Sequence, residues 1–425
     1  MRVLMSAYSC EPGRGSEPGV GWNVVREVAN YHEVWVLTRP DESGEIIEAE
    51  LVRNPAPNLH FVYFNLPIWA NGWRWGSNGA MQIHYYLWQI QAYFVARKLH
   101  REIGFDIMHH VTFVKYSSPS FLSFLSIPFI WGPVGGGESA PKAFWQDFSH
   151  RAKVYETMRN LVRWLGESDP FARFTAKRSV LARATTEDTA QRVRKMGSTN
   201  VQVFPEAGLS REEIVLLAQY AMPDDCPVRF ISMGRLLHWK GFHLGLRAFA
   251  QAKLPDAEYW IVGDGPEWKR LQALAKELGI ANQVKFWGRL PRDETLHKLG
   301  ECLVLIHPSL HDSGGWVCLE AMAAGRPVIC LDLGGPAVQV TEKIGFKVPA
   351  HTPEQAVRDL ASVMVHLAAD SELRVRMGQA GQKLVADMYS WETKGQCLAQ
   401  LYEEILERRR VGIFNFECNP NTGNT

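Results

Sequence analysis

The stretch from 303 to 331 constrains the fold more than any other part of the sequence. An apolar run at 303–306 predicts a buried strand, and a polar, Gly-containing turn follows it. Residues Val317–Ala324 have helical spacing and stop at Gly325, a common helix end. Pro327 then opens a second apolar run. This strand–turn–helix–strand order is typical of a parallel sheet covered by helices.

The same alternation covers most of the chain. It begins with a strand at 3–7, a loop rich in Gly and Pro, a helix and a strand at 33–37. It restarts with a strand at 228–233 and continues towards the C-terminus. The chain has 425 residues, which is more than a single core usually holds. We therefore predict an α/β protein with two Rossmann-like domains that face each other across a cleft.

The composition narrows the class of protein. Hydrophobic residues make up 46% of the chain, which indicates a globular protein, and the net charge of +1 does not favour binding to nucleic acid. The seven cysteines lack paired spacing, so we expect reduced core residues and no metal site. The sequence enters a strand directly, without a signal peptide, and has no apolar run of about 18 residues. These features predict a cytoplasmic protein.

Polar side chains follow the predicted strands of the second half, at the edge where open α/β sheets bind ligands. They are Arg235, Lys240, Asp264, Asp312 and Glu320. The two cations are suited to neutralising a diphosphate, and the carboxylates to accepting hydrogen bonds from hydroxyls. The turn after Asp312 precedes a helix N-terminus, which favours an anion. Without a metal motif, this arrangement favours the transfer of a sugar from a nucleotide diphosphate.

Two features of the first half are further candidates. The loop Ser9–Gly21 resembles a phosphate loop around Gly15, but Pro18 occupies the third glycine position and a plain turn is the alternative. His109 and His110 end a predicted strand, where their side chains point to opposite faces. We expect one of the two to face the cleft, and the sequence does not decide which.

Two other segments of the first half allow two interpretations each. The stretch 69–99 is crowded with aromatic residues, among them Trp69, Trp73 and Trp75. It predicts either a core face or a helix that faces an acceptor or a membrane. The helical segment 141–183 carries many cations, which predicts either a solvated face or a surface for anionic lipid or a phosphorylated acceptor.

Several motifs occur in a fixed order over residues 228–405. They are Met233–Leu236 with Lys240–Gly241, Ile261–Pro266, Phe286–Gly288, Asp312–Pro327, Leu333–Gly335 and Tyr389–Trp391. With these motifs the chain resembles the retaining glycosyltransferases of family 4, which have the GT-B fold and belong to glycosyl transferases group 1. The first half resembles that family more loosely, in its first strand, its Gly-rich loop and residues 106–110.

The resemblance implies roles for the candidate residues. Arg235 and Lys240 would hold the donor diphosphate, Glu320 would bind the ribose hydroxyls, and Asp312 would address the sugar hydroxyls. The donor-binding residues would be Gly15, Gly234, Arg235, Lys240, Asp264, Ser313, Gly314, Gly315 and Glu320. The catalytic residues would be His109, His110, Asp312 and Glu320.

The sequence departs from the family pattern at three places. Asp312 stands where a Glu, one methylene longer, is usual, and Ser313–Gly314 replaces Gly–Phe. Both departures leave the donor sugar open. Glu206–Gly208 replaces the Asn–Gly pair that follows the inter-domain strand in the family.

By resemblance, the chain would be a hexosyltransferase-type enzyme that moves a sugar from a UDP- or GDP-linked donor to an acceptor hydroxyl. The anomeric configuration would be retained, the departing phosphate would act as the base, and no metal or cofactor would be needed. The acceptor would be a glycan or lipid-linked molecule in glycan, polysaccharide or glycolipid synthesis. The aromatic and cation-rich helices of the first half suggest an acceptor at the membrane surface, with a peripheral contact to the inner face of the membrane. The alternatives are a sugar-nucleotide epimerase on the same fold and a non-catalytic nucleotide-sugar-binding paralogue.

The predicted domain boundaries follow from where the strand pattern restarts. Residues 1–205 are predicted to form the acceptor-side domain, and residues 206–395 the donor domain. By resemblance, a final helix at 396–412 would pack back toward the first domain. The residues 413–425 are rich in Asn, Pro, Gly and Thr and predict a disordered tail.

Overall fold

The computed structural model describes residues 1–41, 43–67, 70, 72, 78–220 and 227–411. These residues divide into two compact units. The first unit contains residues 1–137 and 159–206 and the last helix, which begins at Trp391. The second unit contains residues 138–158 and 207–390.

The first part of the chain alternates strands and helices. In chain order its elements are β1 (Arg2–Ala7), α1 (Ser16–Val28), β2 (Glu33–Thr38), α2 (Gly44–Arg53), β3 (Leu59–Tyr63), α3 (Asn78–Ile103), β4 (Ile107–Thr112), β5 (Phe129–Val134), α4 (His150–Ser168), α5 (Pro170–Arg178), β6 (Leu181–Ala184), α6 (Glu187–Lys195) and β7 (Val201–Val203). Within the described residues, these strands form one parallel sheet in the order β3-β2-β1-β4-β5-β6-β7.

The second part repeats the pattern. Its elements are α7 (Arg211–Ala218), β8 (Val228–Met233), α8 (Phe242–Ala252), β9 (Ala257–Val262), α9 (Trp268–Glu277), β10 (Val284–Gly288), α10 (Arg292–Gly300), β11 (Val304–His307), α11 (Trp316–Ala323), β12 (Val328–Leu331), α12 (Gly334–Gln339), β13 (Gly345–Val348), α13 (Pro353–Ala369), α14 (Ser371–Met388) and α15 (Trp391–Arg410). The strands β8 to β13 form a second parallel sheet in the order β10-β9-β8-β11-β12-β13.

Both sheets are buried on both faces, which explains why their strands are continuous apolar runs. In β1, Leu4 packs into one hydrophobic cluster and its neighbours Val3 and Met5 into another. In β8, Phe230 and Ile231 divide between two clusters in the same way. Successive side chains of a strand point to opposite faces, so each sheet has a core on either side. The predicted α/β class with two Rossmann-like domains is confirmed.

The unit boundaries differ from the continuous ranges expected from the sequence. Residues 138–158 group with the second unit, although they lie within the predicted first domain. The last helix, α15, groups with the first unit from Trp391 onward, and its Gly395 packs closely against Glu27 of α1. The predicted tail at 413–425 lies outside the described residues.

For two residues of the aromatic stretch 69–99, the structure supports the prediction of a core face. Tyr85 and Trp88 of α3 are buried, and each ring centroid lies 5.1 Å from that of Tyr8. Phe94, on the same helix, is exposed. The tryptophans at 69, 73 and 75 lie outside the described residues.

Most of the described cysteines are core residues, as expected. Those that are buried are Cys10, Cys302, Cys318 and Cys330. The core expectation is wrong for Cys397, which is exposed on α15. The remaining two, Cys226 and Cys418, lie outside the described residues.

Gly241 provides a test of how the second unit packs. Its φ is +68°, and a Cβ there would lie 1.8 Å from the carbonyl oxygen of Pro308 in the loop after β11. We expect Gly241→Ala to lower the free energy of unfolding by about 2 kcal/mol or more, because strain and a backbone clash act together. Urea denaturation followed by circular dichroism measures this loss.

Gly279→Ala is the matched control. Its φ is +72°, but no atom lies within 4 Å of the added Cβ. This variant should lose only the strain of the left-handed conformation, about 1 kcal/mol. Equal losses in the two variants would show that the close approach to Pro308 does not constrain the fold.

Candidate active site

The loops after β8 and β11 lie side by side at the carboxyl edge of the second sheet. The Leu310 backbone N–H donates to the carbonyl of Trp239 over 2.7 Å, and the Ser309 hydroxyl donates to the same carbonyl over 3.3 Å. The two strands are neighbours in the sheet, so their loops emerge together. This pairing brings Lys240 of one loop next to Asp312 of the other.

Asp312 is the centre of the resulting polar cluster. Its carboxylate forms a close ion pair with the Lys240 ammonium group. The Nε2 atom of His307 lies 3.1 Å from the same carboxylate oxygen. The second carboxylate oxygen accepts hydrogen bonds from the backbone N–H groups of Gly314 and Gly315 at 3.3 and 3.4 Å. A single carboxylate therefore joins a lysine, an imidazole and the turn that leads into α11.

The protonation state of Asp312 follows from these partners. Burial alone would raise the pKa of its carboxyl, but the Lys240 charge and the His307 hydrogen bond hold that pKa well below its usual range. Burial lowers the pKa of His307, and the nearby Asp312 opposes this. At neutral pH the cluster therefore contains an ionised aspartate, and its histidine is neutral.

Two helix N-termini approach the turn that carries Ser313, Gly314 and Gly315. The turn leads directly into α11, and the N–H of Gly335, in the first turn of α12, donates to the Asp312 carbonyl over 2.7 Å. Gly334 has φ +61°, and a Cβ there would lie 2.3 Å from that carbonyl oxygen. The backbone thus packs too tightly for a side chain, and the helix dipoles favour negative charge at this place.

Glu320 lies one turn into α11 and is buried. Its carboxylate pairs with Arg292 of α10 over 2.8 Å, and Arg292 also pairs with Glu213 of α7 over 2.6 Å. Burial raises the pKa of Glu320, and the Arg292 charge opposes this rise. Glu320 is thus held by Arg292, which Glu213 also binds. No sequence pattern indicated Arg292 or Glu213, because they lie on helices separate from that of Glu320.

The other predicted donor residues of the second unit lie beside this cluster at the strand ends. Gly234 and Asp264 follow the neighbouring strands β8 and β9, and the Gly234 N–H donates to the carbonyl of Val262 over 3.0 Å. Arg235 is exposed. The exposed Asp264 carboxylate accepts a hydrogen bond from the Gly265 N–H over 2.7 Å. The structure thus brings the second-half candidates to one edge of one sheet.

The first-half candidates lie in the other unit. Gly15 is exposed and immediately precedes α1. His109 is buried, with Nδ1 2.5 Å from the Tyr402 hydroxyl and Nε2 2.6 Å from the carbonyl oxygen of Gly132. Because a carbonyl only accepts, Nε2 carries the proton. His110 is also buried, and its Nε2 lies 3.1 Å from the Tyr85 hydroxyl.

Both histidines are neutral at physiological pH. Burial and the nearby Arg183 charge lower the pKa of His109 to about 3. Burial lowers the pKa of His110 to about 3 as well. The two rings contact different helices, α15 and α3, as expected for neighbours on a strand. Their assignment as catalytic residues stays a prediction.

A buried glutamate that the sequence did not single out holds the two site loops together. Glu156 of α4 is 1% exposed. One of its carboxylate oxygens lies 3.0 Å from Nε2 of His238 and 3.2 Å from Nε2 of His311. These histidines are two residues before Lys240 and directly before Asp312. The ring of Trp239 stacks on His311 with centroids 5.0 Å apart. Glu156 therefore clamps the loop of the lysine to the loop of the aspartate.

The family comparison concerns the second unit. Residues 222–384 match the family described as Glycosyl transferases group 1. The match covers most of the second unit and less than half of the whole chain. The predicted resemblance is confirmed at this level, and the narrower assignment to family 4 stays a prediction.

Two curated relatives are similar to parts of this chain. D-inositol 3-phosphate glycosyltransferase of Corynebacterium jeikeium (strain K411) is 34% identical over 183 residues, which cover 41% of this chain and 42% of the relative. Lipopolysaccharide core biosynthesis glycosyltransferase LpsE of Rhizobium meliloti (strain 1021) is 32% identical over 219 residues, which cover 51% of this chain and 62% of the relative. The matched segments thus span about half the length of these relatives.

A solved structure extends the likeness to almost the whole chain at the level of the fold. The Anabaena protein Alr3699/HepE, in complex with UDP and glucose, superposes with a TM-score of 0.58 and 19% identity over 95% of this chain and 100% of that chain. The fold is therefore of the GT-B type.

Two further observations concern the described residues only. They contain no group of three or more His, Cys, Asp or Glu side chains that could hold a metal ion. None of their helices is both long enough and apolar enough to cross a membrane.

The Glu156 clamp can be tested by Glu156→Ala. Loss of the buried carboxylate leaves two imidazoles without this acceptor, so we expect a loss of about 2 kcal/mol in the free energy of unfolding. UDP is part of the donor that we propose below for this site. Because Lys240 and Asp312 then lose their fixed spacing, we expect the affinity for UDP to fall roughly tenfold. Thermal denaturation and calorimetric titration with UDP measure the two effects.

Gln146→Ala is the control for this variant. Gln146 belongs to the same 138–158 segment and donates an exposed hydrogen bond to Glu354 over 3.0 Å. Its removal should change neither quantity. Unchanged UDP affinity in Glu156→Ala would show that the clamp does not position the site.

Proposed function

We propose that this chain is a retaining glycosyltransferase that transfers a sugar from a nucleotide-diphosphate sugar to an acceptor hydroxyl. The observation that carries the proposal is the ion pair of Lys240 and Asp312 at the N-terminus of α11, on the carboxyl edge of the second sheet. A cation, a carboxylate and a helix N-terminus within one cluster suit a ligand with both a diphosphate and hydroxyls. The names of the relatives support the same class of reaction.

In this proposal, the bound donor separates the ion pair of Lys240 and Asp312, and each of the two residues binds a different part of the donor. The diphosphate takes the Lys240 ammonium group, with Arg235 as a second cation, and the α11 N-terminus stabilises the charge of the leaving phosphate. Asp312 then accepts hydrogen bonds from the sugar. It is already ionised, so no proton has to leave before it can accept them. Glu320, one turn deeper, accepts from the ribose hydroxyls.

The finer points of the proposal come from the resemblance and from the relatives. The donor is UDP- or GDP-linked, and UDP is the first choice because the Anabaena structure contains UDP and glucose. The departing phosphate serves as the base, and the donor is a co-substrate rather than a bound cofactor. The acceptor is a glycan or lipid-linked molecule, for which the lipopolysaccharide enzyme is a precedent. The cytoplasmic location stays a prediction.

The first test replaces the residues that would hold the donor. We expect Lys240→Ala and Glu320→Ala each to abolish transfer from labelled UDP- or GDP-sugars, because each removes a group that contacts the donor. Circular dichroism should show an intact fold. Lys276→Ala, an exposed cation on α9, should transfer at the normal rate. Near-normal rates for both site variants would refute the site assignment.

The second test examines the stereochemistry and the class of reaction. The product should keep the anomeric configuration of the donor, as measured by NMR, and a chelator should not change the rate. An inverted product would refute retention. Interconversion of free nucleotide sugars without transfer would indicate an epimerase, and tight donor binding without turnover would indicate a binding paralogue.

A further inference from the structure

The second half of α4, residues 159–168 of the first unit, has its polar side turned inward. Arg163 is buried and donates to the carbonyl of Gly136. Glu167 forms an ion pair with Arg192 and accepts a hydrogen bond from the Tyr116 hydroxyl over 2.8 Å. Gly166 packs against the backbone of Ser117. The charged side chains on this face of the helix therefore bind other groups of the protein.

The outward side of the same segment is apolar. Leu161 is 48% exposed, Trp164 61% and Leu165 56%, and Val162 between them is also exposed. A helix of a globular protein normally buries its apolar stripe and exposes its charges. Here the order is reversed, which is typical of a surface that binds another protein or a membrane.

Aromatic side chains extend this surface beyond α4. Helix α5 begins two residues after α4 ends, and its Phe171 is 42% exposed. The Phe171 ring centroid lies 5.3 Å from that of Phe121 and 6.2 Å from that of the exposed Phe124. Phe124 in turn stacks on Phe174 at 4.4 Å. Rings of this kind suit the boundary between lipid headgroups and acyl chains.

The exposed charges on α5 and the second half of α4 have one sign. From 159 to 178, a range that the structure describes completely, the exposed ionisable residues are Arg173, Lys177 and Arg178. The two carboxylates of the range are engaged, Glu167 with Arg192 and Asp169 with the N–H groups that begin α5. Cations that border an apolar stripe are complementary to anionic lipid. Two copies of this surface in a symmetric dimer would instead bring like charges together.

We propose that this surface, formed by Leu161, Val162, Trp164, Leu165 and Phe171 with Arg173, Lys177 and Arg178, docks the chain on an anionic lipid bilayer. The apolar side chains enter the interfacial layer, and the cations contact the headgroup phosphates. The inference does not rest on the donor chemistry, since its residues belong to a different unit from Lys240, Asp312 and Glu320.

Vesicle co-sedimentation of the full chain tests the proposal. The chain should bind vesicles of phosphatidylcholine with phosphatidylglycerol more tightly than vesicles of phosphatidylcholine alone. High salt should weaken the binding, because surface charges are screened. The double variant L161E/L165E should bind roughly tenfold more weakly or worse, since it places carboxylates in the interfacial layer. R173Q/K177Q should lose the preference for the anionic vesicles.

The matched control is V365E/V375E, which changes two apolar residues of similar exposure on α13 and α14 of the second unit. It should bind anionic vesicles as the unchanged chain does. Absence of binding to either vesicle, or equal binding by L161E/L165E, would overturn the proposal. So would a dimer in analytical ultracentrifugation that L161E/L165E dissociates, because a second copy would then be the occupant.

A measurement of UDP binding distinguishes failure of the membrane proposal from failure of the proposed function. L161E/L165E should keep the normal circular dichroism spectrum and the rise in melting temperature on addition of UDP. If UDP produces no rise in the unchanged chain either, the donor assignment fails while the vesicle result stands. If the circular dichroism spectrum shows that L161E/L165E is unfolded, W164Q takes its place in the experiment. We again expect weaker vesicle binding, and unchanged binding would contradict the proposal.

Discussion

The charge on Asp312 is the constraint on which the geometry of the second unit depends. A buried carboxylate is costly unless cations and hydrogen-bond donors surround it. Its partners here come from separate segments: Lys240 from the loop after β8, His307 from the end of β11, and N–H groups from the turn into α11. The backbone has to bring these segments within contact distance, and the absence of a side chain at Gly241 makes this possible.

The same solution recurs at the other buried carboxylates of this unit. Glu320 is held by Arg292, and Glu156 lies between two histidines. In each case the partner belongs to a different element, so the charged groups fix helices and loops relative to each other. An anionic donor would enter a site whose dipoles and cations are already oriented, which is how proteins stabilise a charge that develops during reaction. Stability and the proposed chemistry therefore depend on the same contacts.

The sequence predicted those parts of the molecule that local patterns encode. Continuous apolar runs gave the strands, and residues placed just after them, such as Lys240 and Asp312, were brought to one edge of the sheet. The sequence could not reveal Glu156 or Arg292 as site residues, because their partners are distant along the chain and a lone charged residue on a helix usually faces solvent. The segment 138–158, which was predicted as part of the first domain, groups with the second unit for the same reason, since contacts such as those of Glu156 join residues that are distant along the chain.

Helix α4 shows why periodicity alone does not tell which face of a helix is buried. Its cations suggested a solvated face or a lipid-facing surface, yet Glu156, Arg163 and Glu167 point to partners inside the protein. Because these three side chains point inward, the helical repeat turns Leu161 and Leu165 outward. The apolar surface is thus a consequence of the inward polar contacts. A change that removed those contacts would remove the reason for the exposed face, so the inner contacts and the outer surface of this helix have to be understood together.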